Sequence, residues 1–297
     1  MKPDVIEQFG KSTIQHGKYN DRIYLMKAAS EDTLSLPSAL KEMASRRGYS
    51  KIFAKVSADQ SPPFLDVGFS CEAQIPQFFQ QQESVLFLGY YLDAGRKKSQ
   101  TAERNENVMH TCHLKQADVT KFQRPRESQL RVCTLEDVEI MADLYGRVFP
   151  TYPFPINDPA YLRETMASHI VYFGIWLQGK LVALSSAEMD VETRSVEMTD
   201  FSTLPEHRGQ GLATILLEAM EVEMYSRDVA TAYTIARAPS FGMNITFARM
   251  GYTFSGRLIN NTNISGQFED MNVWYKHLRR CPAVGRRAPS RRFQNGA

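Results

Sequence analysis

No apolar run in this chain of 297 residues approaches the ~18 residues of a bilayer-spanning helix, so a helical membrane protein is not expected. The N-terminal Met-Lys-Pro-Asp-Val-Ile-Glu lacks the apolar core of a secretory signal. The four cysteines, Cys71, Cys112, Cys133 and Cys281, are scattered and include no Cys-x-x-Cys pair. That argues against a disulfide framework and for reduced thiols in a cytoplasmic protein. His16, His110, His113, His169, His207 and His277 form neither a triad nor a ligand cluster by spacing, and no metal is expected. What remains, 43% hydrophobic and 23% charged, is the profile of a globular protein long enough for two domains.

Charge is nearly balanced at a formal +2, but it is unevenly placed. Arg279, Arg280, Arg286, Arg287, Arg291 and Arg292 lie in the last 19 residues with no acid among them, which leaves the body at −4. With Pro282, Gly285, Pro289 and Gly296 in the same stretch, residues 279–297 read as a disordered tail. Such a tail attracts nucleic acid or anionic lipid only weakly, and neither nucleic acid nor a membrane is expected as a partner. A homodimer is compatible with the sequence, which does not define an oligomeric state.

The distinctive feature is one turn. Residues 195–204 read as a strand, and Leu212, Ile215, Leu216 and Ala219 recur at helical spacing. Between them stands Arg208-Gly209-Gln210-Gly211-Leu212-Ala213. Two glycines suit a sharp turn and close backbone approach. A helix starting there aims several unpaired N–H groups at one point, which makes a phosphate site. A dinucleotide fingerprint needs a third glycine where Thr214 stands, and a Walker loop needs a Gly-Lys-Ser/Thr that is absent. The pattern left is Arg-x-x-Gly-x-Ala.

Around this turn the second half reads as a strand at 130–133, a helix after Thr134-Leu-Glu-Asp137 and a stiff Phe149-Pro-Thr-Tyr-Pro-Phe-Pro155 stretch. A helix at 159–168 and hairpin strands at 171–177 and 180–189 follow. Beyond the turn come its helix, a strand at 232–237, a helix at 244–250 closed by Gly251-Tyr252, and a strand at 270–275. This order and the turn resemble the GNAT superfamily of acetyl-CoA-dependent N-acyltransferases, whose signature is Gln/Arg-x-x-Gly-x-Gly/Ala. The resemblance implies an α/β (α+β) fold, a mixed and mostly antiparallel sheet flanked by helices, with the catalytic domain at 129–278. Asn20-Asp-Arg-Ile-Tyr-Leu-Met-Lys27, Tyr152-Pro-Phe-Pro155 and the overall length look like the β-lysine N-acetyltransferase family within it. That implies acetylation of the terminal N(6) amine of β-lysine to a compatible solute used in osmoadaptation.

Residues 1–128 read as a smaller α/β domain, with strands at 22–27, 51–56 and 84–92. Helices are expected at 36–48 and after Ser61-Pro-Pro63, the latter ending at Gly68-Phe69, and residues 93–126 look like a polar connecting segment. The order helix, strand, short helix, Gly-aromatic and apolar strand recurs at 212–275. The domain therefore reads either as a degenerate partial GNAT copy without a cofactor loop or as an unrelated small domain.

Acetyl transfer needs an unprotonated amine, and an alkylammonium of pKa ~10.4 must first lose a proton. The resemblance places a general base at Glu197, with Asp200 as second candidate. It puts the backbone of Arg208, Gly209, Gln210, Gly211, Leu212 and Ala213 on the pyrophosphate of acetyl-CoA. Phe201 and Thr203 are placed on the pantetheine arm, with Asn244 near the sulfur or, alternatively, simply capping its helix. The family's usual acid, a tyrosine, is replaced by Phe247. The leaving thiolate would then depart unprotonated, or take a proton from water, Tyr252 or Tyr152. A diamino-acid acceptor calls for a cation and carboxylates: Arg237 for its carboxylate, Glu188 and Asp200 for its internal ammonium, Tyr152 and Phe154 for its methylenes. Other readings are a GNAT enzyme for another amine or a protein lysine, and a non-catalytic acetyl-CoA sensor.

Overall fold

The computed structural model describes residues 4–116, 122–150, 152–264 and 266–278; the arginine-rich stretch expected to be a tail lies outside them. The first half contains β1 (Val5–Phe9), β2 (Ser12–Gly17), β3 (Arg22–Lys27), α1 (Leu36–Arg47), β4 (Lys51–Ser57) and α2 (Pro62–Asp66). It continues through β5 (Ser70–Phe79), β6 (Glu83–Tyr91) and α3 (Ala102–Lys115). The second half contains β7 (Ser128–Val132), α4 (Val138–Val148), α5 (Pro159–Met166), β8 (Ile170–Leu177), β9 (Lys180–Asp190) and β10 (Ser195–Thr203). Then come α6 (Leu212–Ser226), β11 (Thr231–Arg237), α7 (Phe241–Arg249), β12 (Thr253–Ile264) and β13 (Gln267–His277). No helix among the described residues is long and apolar enough to cross a membrane.

The described strands form one mixed sheet of 13, in the order β1-β2-β3-β4-β6-β5-β12-β13-β11-β10-β9-β8-β7. Its two halves repeat a pairing pattern. β3 runs parallel to β4 as β10 does to β11. β6 lies antiparallel between β4 and β5, as β13 does between β11 and β12. Phe69 packs edge-on to Phe64 at 5.3 Å, and Tyr252 to Phe247 at 5.1 Å. In each pair the later aromatic's amide donates to the carbonyl five residues earlier.

The two runs join where Gly256 of β12 pairs with Ala73 of β5. A Cβ at Gly256 would stand 2.1 Å from the Glu72 carbonyl oxygen, so only glycine lets the strands approach. One apolar cluster packs α4 and α6 on β8–β10, with Tyr145, Leu216 and Met220 fully buried, and a second packs α1 and α2 on β3 and β4. A third draws Phe53 and Phe87 from the first half against Tyr233, Leu258 and Val273 of the second. That shared core ties the halves into one body.

Of the stretch read as a surface connector, residues 102–115 instead form helix α3. Arg96 is buried, and α3 buries Asn105, Val108 and Cys112 while packing on α7. β1, β2, β5 and β12 are strands that the sequence pattern does not mark. In β5 and β12, left-handed residues Gln77 (φ 52) and Asn260 (φ 44) lie where the pairing register slips, which erases the alternation that marks a strand. Helix α7 starts at Phe241 rather than Asn244, with Ser240 as its N-cap.

Candidate active site

β10 pairs with β9 along its length but with β11 only at Ser195, Val196 and Glu197. Past Glu197 the ladder to β11 stops, next to a bulge between Thr199 and Ser202 in which Asp200 has φ 54. A strand edge freed inside a sheet offers amides and carbonyls to an extended ligand. Phe201 and Thr203 lie on this stretch. The strand leads through a tight turn, Pro205–His207, to Gly209 (φ 80) and Gly211 (φ 75), the N-cap of α6. No side chain caps α6 and no acid occupies its first turn, so the amides of Leu212 and Ala213, which have no acceptor within the helix, stand at the positive end of a 15-residue helix. These features fit a diphosphate. The Arg208 side chain folds back, its Nε 3.3 Å from the Thr203 carbonyl oxygen.

Two expected contacts are corrected. Asn244 is fully buried, and its amide is saturated within the protein. Nδ2 donates to the carbonyls of Arg237 and Ser240, and Oδ1 accepts from Asn272 Nδ2 and Trp274 Nε1. It therefore neither caps α7 nor reaches toward a thioester. Arg237 lies outside the cavity described next and forms a two-bond ion pair with Glu269, at 2.7 and 2.6 Å.

A cavity of about 530 Å³ lies between the halves. Tyr152, Phe154, Glu188, Glu197 and Asp200, all singled out in the sequence, line it together. Tyr24, Lys55 and Tyr233 also line it and were given no site role; Tyr24 lies in the 20–27 motif that carries the family resemblance, and Lys55 and Tyr233 were signalled only by their place on apolar strands. Glu188 and Glu197 are cross-strand partners. Removal from solvent pushes Glu197 up to about 7, against the pull of Lys55, the Tyr233 hydroxyl and the Ile235 amide. Desolvation, then repulsion from Glu197 and Asp200, holds Glu188 well above the usual carboxylate range.

Asp200 is also raised by burial, although Ser186 Oγ donates to it at 2.6 Å and the Tyr152 hydroxyl donates to its other oxygen. Phe247 is buried edge-on to Phe201, and Tyr252 is sealed behind it beside Glu221. Of the two tyrosines considered as acids, only Tyr152 lines the cavity. The arrangement can desolvate an amine among carboxylates, and it holds one of them poised to accept a proton near neutrality.

Residues 138–252 match the Acetyltransferase (GNAT) family. The chain is 40% identical over 272 residues to the Beta-lysine N(6)-acetyltransferase of Methanococcus maripaludis, covering 91% of this chain and 98% of that one. It is 31% identical to the Beta-lysine N(6)-acetyltransferase of Methanosarcina mazei, covering 82% and 97%. It is 30% identical to the N-acetyltransferase YodP of Bacillus subtilis, covering 90% and 96%.

Proposed function

This chain belongs to the GNAT acetyltransferase family, and from that premise we propose that it transfers the acetyl group of acetyl-CoA to N(6) of β-lysine. The observation that carries the reading is Glu197, with a pKa near 7, at the point where β10 and β11 part. An ammonium entering among Glu188, Glu197 and Asp200 meets hydrogen-bond acceptors and gives its proton to the ionised Glu197. The free amine then attacks the thioester carbonyl; the open β10 edge would hold the pantetheine arm and the Gly209–Gly211 turn the diphosphate. Phe247 has no proton to give and Tyr252 is sealed away, so the departing thiolate is protonated by Tyr152 or by water. Catalysis rests mainly on positioning and desolvation.

Acetylation leaves a diamino acid with a neutral side chain, a product suited to a compatible solute in the cytoplasm. The repeated pairing pattern supports reading the first half as a degenerate GNAT half that lacks the phosphate turn. Thiol release from acetyl-CoA with β-lysine, α-lysine and spermidine offered in parallel tests the acceptor. Preference for β-lysine is expected. Release with another acceptor alone would replace the substrate, and binding of acetyl-CoA without release would favour a non-catalytic sensor.

A further inference from the structure

Three buried cations of the first half grip the β12 bulge at consecutive carbonyls. Lys51 Nζ donates to Ile259 O at 2.7 Å, Arg96 Nε to Asn260 O at 2.9 Å, and Arg22 Nη1 to Asn261 O. Two of them have a counter-charge: Glu72 lies 2.8 Å from Lys51, and Asp21 lies 3.7 Å from Arg96. Arg22 has no ion pair among the described residues. It is 5% exposed, its guanidinium lies 5.5 and 5.6 Å from the Tyr24 and Phe53 ring centres, and its Nε has no hydrogen-bond partner. A guanidinium held from water without an anion is costly. Its neighbours share the deficit: both amide atoms of Gln15, 1% exposed, and Asn261 Oδ1, 2% exposed, are also unpartnered. Arg22, Gln15 and Asn261 line the same cavity as the three carboxylates.

We infer that Arg22, with the Gln15 amide, binds the carboxylate of the acceptor, while Gln15 Oε1 and Asn261 Oδ1 accept from the ammonium beside it. The chemistry matches group by group. A carboxylate offers only acceptors, and Arg22 Nε and Gln15 Nε2 are unused donors; an ammonium offers only donors, and the two amide oxygens are unused acceptors. The distal amine is left for Glu197. The first half of the chain is thereby the specificity element, selecting an amino acid over a plain diamine. The inference rests on the acceptor being a diamino acid, as proposed above.

The test compares kcat/KM for β-lysine and for 1,4-diaminopentane, which is β-lysine without its carboxylate, using the full-length enzyme. Wild type is expected to favour β-lysine on the order of 10²-fold or more, because the diamine leaves buried polar groups unpaired. Arg22→Met and Gln15→Leu should each collapse that preference to within about tenfold, because β-lysine loses its carboxylate partner and so loses far more kcat/KM than the diamine. Gln15 makes no side-chain bond among the described residues, so its variant reports on recognition even where Arg22→Met loosens the β12 bulge. Variants that keep the wild-type preference, or that slow both acceptors equally, overturn the inference. Wild-type indifference to the carboxylate overturns it too, while acetylation of β-lysine itself would still stand. A wild type that ignores β-lysine but uses another carboxylate-bearing amine would overturn the acceptor proposed above.

Discussion

Glu188 on β9 and Glu197 on β10 stand directly opposite one another, two carboxylates on adjacent strands opening into one cavity. Like charges so placed resist ionising together. Burial and the neighbouring charge of Glu197 hold Glu188 well above the usual carboxylate range, and burial pushes Glu197 up to about 7. The base works only when ionised, so kcat/KM should rise with pH through a midpoint near 7. Glu188→Gln, which imitates the protonated acid, should leave that midpoint in place. A shift of more than about one unit would mean that Glu188 is charged in the working enzyme.

Glu197→Gln should lower turnover by roughly 10²–10⁴-fold and abolish the neutral-pH limb. Single-turnover rates across neutral pH check both effects. A variant with full rate would move proton acceptance to Asp200, whose carboxylate is already engaged by Ser186 and Tyr152.

The same carboxylate bears on stability, with a definite sign. Glu197 binds its proton more tightly in the folded state than at the ordinary glutamate value of about 4.3, so folding favours its neutral form. Its cost is absent below about pH 4.3, grows as pH rises toward 7, and is full above that. Glu197→Gln should therefore melt higher than wild type at alkaline pH, with the gain shrinking on acidification. Thermal melts at several pH values measure it, and equal melting temperatures at alkaline pH would contradict the burial cost.

Gly209→Asp isolates the phosphate turn better than a change at Gly211. A Cβ at Gly211 would lie 2.2 Å from the Phe122 ring, whereas Gly209 has nothing within 4 Å. The added charge at the α6 N-terminus should weaken coenzyme A binding by tenfold or more, while the left-handed φ of 80 costs about 1 kcal/mol of stability. Calorimetric titration with coenzyme A decides it, and unchanged affinity would remove the turn from the cofactor site.

Gly256→Val forces a side chain between β12 and β5, where the Glu72 carbonyl already stands. Destabilisation on the order of 1–3 kcal/mol is expected, read as a lower denaturant midpoint. Because Arg22 lies on β3 and Glu197 on β10, opposite sides of that junction, KM for the acceptor should rise more than KM for acetyl-CoA. An unaffected acceptor KM would show that the two halves are set by other contacts.

What was legible in the sequence was local. The Arg208–Ala213 turn declares itself because left-handed glycines and a helix start depend only on neighbouring residues. The hairpin of β8 and β9 and the strand carrying Glu197 follow from alternation and a short turn. Partners were not legible. Arg237 was free to meet any anion until β11 was laid beside β13, which put Glu269 within 2.7 Å. Asn244 was spent in the same way by Asn272 and Trp274, 28 and 30 residues away. Arg22 stood within a strand noticed from the start, yet its bond to the β12 bulge spans 239 residues. Periodicity tells which side of a strand a residue takes. Which distant strand lies across from it, and so which charges end up facing one another without a partner, is decided only when the chain closes into a single sheet.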